Sequence, residues 1–217
     1  MDKSRSQASQ DLFVIFMTKG KKNGFFLEIG AWEPEVNNNT FLLEKNYQWS
    51  GLMVEYLPYF GPVYQAYRPN SKYIIQNAIH VNYVEQMKDF PKNLDYLQID
   101  LDVNNRSTLD TLEKLNSTVF NEYKFATVTF EHDIYTGDYF DTRKVSRDIF
   151  SSRGYILLFS NVKVFWMEQW EPFEDWYVHP DLIDTDLIQQ VKQDSENVDG
   201  INHDKCIEIL KKYVKLE

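Results

Sequence analysis

With 217 residues, 43% of them hydrophobic and 26% charged, the chain is long enough to bury one good core and too apolar to stay disordered. A formal net charge of −10 argues against nucleic acid as the main partner, because phosphate binding calls for a basic stripe. The single cysteine, Cys206, allows no internal disulfide and predicts a reducing, cytoplasmic setting; no apolar run approaches the length of a membrane span, and the N-terminus lacks a hydrophobic signal core.

In chain order, an N-terminal helix is expected over about 9–19, before the apolar run FFLEIG from Phe25, which reads as a first strand. NNTFLLEKNY follows as a helix-compatible segment. GLMVEY (Gly51 to Tyr56) is a second strand, and Pro58 after it suits a helix start. KYIIQNAI from Lys72 is a third and LDYLQIDLD (Leu94 to Asp102) a fourth. The segment from Arg106 to Leu115 sets Leu109, Leu112 and Leu115 on one helical face. KFATVTFEHD (Lys124 to Asp133) is a fifth strand, and a helix is expected from Arg143 to Ser152. GYILLFSNVKVF and FEDWYV then follow one another without a long apolar helix between them, which predicts an antiparallel pair at one edge. Helices over about 184–217 close the chain, the last an amphipathic stretch from Ile201 to Leu216. The whole reads as one domain over 1–217 with its core over about 24–180, and the polar start MDKSRSQ suits either a whole protein or a domain of a larger multidomain one.

Strands alternating with helices predict right-handed crossovers and an α/β fold: a doubly wound, mostly parallel, seven-stranded sheet ending in an antiparallel hairpin. That arrangement is typical of the Rossmann-like class I methyltransferases that use S-adenosylmethionine (SAM). In such sheets ligands sit beyond the carboxyl ends of the strands. Those ends carry many acids: Glu28 before Gly30, Glu55, Asp100 with Asp102, and Glu131-His132-Asp133. A carboxylate at the tip of the second strand suits the two hydroxyls of a ribose, and Gly30 allows close backbone approach. An acidic rim also suits the ammonium and sulfonium of SAM, whereas a pyrophosphate would want a glycine-rich turn. No G-x-G-x-x-G is present, which disfavours a nicotinamide-dependent reductase.

SQDLFV, GKKNGFFLEIGA, NNTFLLEKNYQWSGLMVEYLP, LDYLQIDLD, TFEHD, GYILL and FEDWYVHPDL together resemble the FkbM-type methyltransferases over roughly residues 9–183. EIGA, NNT with LLE, and W-x-G-x-x-x-E in register are the most specific part. The resemblance implies SAM as methyl donor and O-methylation of a hydroxyl, often on a sugar or glycan-like small molecule. The chain departs from the family in AWEPEV, where a glycine is usual, and in DLDVNN, where D-x-E-G is common.

The expected cofactor cleft comprises Glu28, Gly30, Ala31, Asn39, Glu55, Asn77, Ala78 and Asp100, with Glu55 on the ribose, Asn77 and Ala78 beside the adenine, and Glu28 and Asp100 toward the methionine end. Methylating a hydroxyl needs a base, a metal, or both. Either His132 takes the proton while Asp102 orients it, or Asp102, Glu131 and His132 hold Mg²⁺ or Mn²⁺. The crowding of acids favours the metal. Of Trp32, Trp166, Trp170 and Trp176, at least one is expected to stack on the acceptor. The alternative is a non-catalytic carbohydrate-binding module on the same fold, for which the AWEPEV departure speaks.

Overall fold

The structure, a computed structural model, describes residues 3–195 and 200–216. Residues 196–199 and 217 of the expected C-terminal helical segment lie outside the described residues, as do the first two of the polar start. The order is α1 (Gln10–Met17), β1 (Phe25–Ile29), α2 (Phe41–Tyr47), β2 (Ser50–Glu55), α3 (Phe60–Tyr67), β3 (Lys72–Ile75), α4 (Tyr83–Gln86), β4 (Asn93–Ile99), α5 (Ser107–Ser117), β5 (Lys124–Glu131), α6 (Phe140–Ser152), β6 (Ile156–Trp166), β7 (Gln169–Val178), α7 (Thr185–Ser195) and α8 (His203–Tyr213). Single 3₁₀ turns occupy Ala78–His80 and Val119–Asn121.

One sheet of seven strands runs β3-β2-β1-β4-β5-β7-β6. The first five pair parallel, and β7 lies antiparallel between β5 and β6. The hairpin was expected at an edge. It is there, with its second strand inserted inward, because a short β6–β7 turn lets the chain double back between β6 and β5.

Period-2 alternation divides the core between the two faces of the sheet. Phe26, Met53, Tyr96 and Trp176 pack with α1, α2, α7 and α8, whereas Leu27, Leu52, Val54, Leu97, Val128 and Phe130 pack with α5 and α6. Helix α1 is buried along its whole length, more deeply than an amphipathic surface helix would be. Trp176 stacks on its Phe13 with ring centroids 4.6 Å apart, and the indole donates to Glu174 at 2.7 Å. That places Trp176 in the core, outside any aromatic platform. Among the described residues no helix is long and apolar enough to cross a membrane.

The same alternation decides where the acids go. Glu28 pairs in register with Met53 and Gln98, and Ile99 pairs with Phe130. Glu28, Glu55, Asp100 and Glu131 therefore all belong to the α1 side of the sheet, at its carboxyl edge.

Candidate active-site cleft

A cleft of about 650 Å³ opens beyond the carboxyl ends of β1, β2, β4 and β5. Among the described residues, six that line it are acids (Glu28, Glu55, Asp100, Asp102, Glu131 and Asp133), and none is Lys, Arg or His. Gly30, Ala31 and Asn39 line it as well, together with Trp32, Tyr56 and Tyr139. Asn77 and Ala78 do not. Asn77 instead accepts from the Ile79 amide and starts a 3₁₀ turn, while the Ala78 carbonyl receives the Tyr83 hydroxyl. The strand expected to run on to this point stops at Ile75 for that reason.

Glu28 is not a solvated strand end. It is 1% exposed, and its carboxyl accepts from Thr40 Oγ1 at 2.7 Å and from the Asn39 amide at 3.2 Å. Thr40 and Asn38 start α2, Asn38 Oδ1 accepting from the Thr40 and Phe41 amides. Behind them lies Arg68, also 1% exposed, which donates to Glu44, Asn38 and Thr40 at 2.9, 2.9 and 2.7 Å. Burial raises the Glu28 carboxyl to about 7, and Arg68 with the Thr40, Asn38 and Asn39 hydrogen bonds restrains that rise. This network was not read from the sequence. Arg68 follows α3 with no periodicity to mark it.

Glu55 organises the opposite rim. Its carboxylate accepts from the Trp32, Tyr56 and Leu57 amides at 2.9, 2.8 and 2.9 Å. The AWEPEV loop is thereby tied to the tip of β2, with Trp32 left 51% exposed at its turn. Gly30 serves packing first. Its φ is +86°, and a Cβ there would stand 1.7 Å from the Asp100 carbonyl oxygen. The glycine lets β1 and β4 close against each other, which in turn sets Asp100 beside the cleft.

Asp100, Glu131 and Asp133 form the other wall. Glu131 is 7% exposed, and neither its Oε2 nor Asp133 Oδ1 meets a donor. The three acids satisfy one another only by sharing a proton. Burial first, and then the negative charges of Asp100 and Asp133, push the Glu131 carboxyl well above its ordinary value. Burial raises Asp100 and Asp133 too.

His132 is the main correction. Successive strand residues face opposite sides, so with Glu131 turned to the cleft His132 turns to α6. It is 0% exposed and does not line the cleft; its Nε2 stands 3.6 Å from Asp175 Oδ1. Asp175 receives Arg147 through two hydrogen bonds, at 2.7 and 2.9 Å. Burial would raise Asp175, but Arg147 and His132 outweigh it and hold the carboxyl well below the usual range. Asp102, Glu131 and His132 are thus not brought together, and among the described residues no three His, Cys, Asp or Glu side chains are grouped to hold a metal ion.

No protein-family model matches the sequence, and no curated protein is significantly similar to it. Solved structures do match. Cofactor-bound Rv0187 from MTB is 14% identical, with a TM-score of 0.54 over 82% of this chain and 81% of that one. Precorrin-6y C5,15-methyltransferase from Geobacter metallireducens GS-15 is 13% identical, with a TM-score of 0.51 over 77% of this chain and 86% of that one. The strand order and the antiparallel seventh strand agree with this likeness. The chain has the class I SAM-dependent methyltransferase fold. At these identities the likeness concerns the fold alone. In that methyltransferase fold the acidic cleft lies at the switch point between β1 and β4, where the strand order reverses and ligands of open α/β sheets bind.

Proposed function

We propose that the chain is a SAM-dependent O-methyltransferase acting on a hydroxyl of a sugar, glycan or related small molecule, of the FkbM type that its motifs resemble. The observation that carries this reading is the cleft itself: among the described residues six acids and no basic side chain line it, at the carboxyl edge of a sheet with the methyltransferase fold. The donor set fits SAM, whose ammonium, sulfonium and ribose hydroxyls all favour acceptor groups, while a pyrophosphate would be repelled. Asn39 Oδ1, buried without a partner on the cleft wall, adds an acceptor free for such a ligand.

In this reading Glu55 holds the ribose hydroxyls, Glu28 and Asp100 face the methionine end, and Gly30, Ala31 and Asn39 line the path between. When bound, SAM supplies a methyl group made electrophilic by its sulfonium. The chain supplies the base. Asp100, Glu131 and Asp133 act as one proton-sharing group that takes the acceptor's hydroxyl proton, and carboxyls raised by burial and mutual repulsion are the stronger bases for that task. His132, buried against Asp175, positions the end of β5 from behind.

The test is methyl transfer from labelled SAM to a panel of glycosides and sugar nucleotides, before and after EDTA dialysis. Label on an acceptor oxygen, undiminished by EDTA and lost in Glu131→Gln, is expected. Label on nitrogen, or activity that EDTA abolishes, would contradict the reading.

A further inference from the structure

A second cleft, of about 500 Å³, adjoins the first and shares Gln7, Asn37 and Glu131 with it. Its far wall is the β6–β7 hairpin with the loop after β5: Tyr135, Phe165 and Trp166 line it. Trp166 is 48% exposed, and Phe165 is exposed as well. The one basic residue lining this cleft among those described is His203, whose imidazole pKa burial lowers against the opposing pull of Asp204. Glu131 thus stands where the two clefts meet, with an acidic wall on one side and an aromatic wall on the other.

Two features at that junction ask for a cation. Glu131 Oε2 is buried and meets no N–H or hydroxyl donor, and the groups that act on its carboxyl, Asp100 and Asp133, are themselves acids. An ammonium would give each carboxylate a charge-assisted hydrogen bond and remove the mutual repulsion. What favours an organic cation over a metal ion is the aromatic wall beside these acids, lined by Tyr135, Phe165 and Trp166. The adjacent aromatic wall would hold the ring that carries it, since sugar C–H faces pack on indole and phenyl rings.

Resting on the methyltransferase reading above, we propose that the acceptor is an amino sugar: its ammonium docks at Glu131 between Asp100 and Asp133, and its ring lies against Tyr135, Phe165 and Trp166.

Three disaccharides of matched shape test this by calorimetry, with S-adenosylhomocysteine present. They are the β1,4-linked glucosamine dimer, its di-N-acetyl form and cellobiose, which differ at the 2-position in carrying ammonium, neutral amide or hydroxyl. The glucosamine dimer is expected to bind at least tenfold tighter than the other two. Glu131→Gln should erase that preference, its folding being checked by cooperative urea unfolding. Trp166→Ala, on the exposed hairpin, should weaken all three and keep the preference, so the proposal stays testable if Glu131→Gln does not fold. Equal affinity for the three, no binding of the amine at 10 mM, or heat from Mg²⁺ or Mn²⁺ that Glu131→Gln abolishes would each overturn the amino-sugar assignment alone. No binding of S-adenosylhomocysteine would overturn the methyltransferase reading and this proposal with it.

Discussion

Replacing Glu28 by Gln removes one ionisable group from the interior and keeps its shape. In the folded chain burial lifts the carboxyl to about 7, from an ordinary 4.5. A carboxyl raised on folding favours the native state fully below its unfolded value, and that contribution is lost as pH rises through the folded one. Linkage with those two values gives a loss of about 2.5 kcal/mol between pH 5 and pH 8 from Glu28 alone. For a chain of this size that corresponds to roughly 5–10 °C in melting temperature. Burial of the other raised acids, Asp100, Glu131 and Glu174, adds pH dependence in the same direction, so the diagnostic is the difference between two proteins. Urea unfolding of parent and Glu28→Gln, each at pH 5, 6, 7 and 8 without cofactor, measures it. The variant should gain on the parent steadily across that range. Parallel curves, within about 0.5 kcal/mol at every pH, would mean that Glu28 is not protonated on folding and would refute the reasoning.

Arg68→Met deletes the cation that joins Glu44, Asn38 and Thr40 behind Glu28. It should cost about 3–5 kcal/mol of unfolding free energy, because a buried carboxylate is left unpaired; a cost below about 1 kcal/mol would show the network to be ornamental. Gly30→Ala places a Cβ against the Asp100 carbonyl at a positive φ, so a loss of at least about 3 kcal/mol is expected by the same assay. A soluble Gly30→Ala protein of parental stability would show that β1 and β4 do not approach as described.

Periodicity made the sheet legible. Short apolar runs split by helical stretches gave all five parallel strands, and the missing helix after Tyr155 gave the antiparallel hairpin. The acids were legible because strand tips can be located to within a residue or two, and ligands gather there. Which face a tip residue serves was harder. Glu131 and His132 are neighbours in sequence, and only the register of β5 against β4 and β7 sends one to the cleft and the other to Asp175. Arg68 and Asp175 were invisible for a related reason, since they meet partners distant in sequence, such as Asn38 at 30 residues from Arg68 and Arg147 at 28 from Asp175. Gly30 was singled out for ligand access, and the close carbonyl of Asp100 adds a packing demand for glycine that the sequence did not reveal.

Isothermal calorimetry of SAM binding to the parent chain and to Glu55→Ala tests the central claim most directly. Glu55 stands at the tip of β2 on the rim of the cleft, and losing a charge-assisted hydrogen bond there should cost about 1.5–3 kcal/mol. Saturable binding by the parent, weakened at least tenfold in a Glu55→Ala protein that still unfolds cooperatively, is the predicted result. No heat from the parent at millimolar SAM would contradict the account.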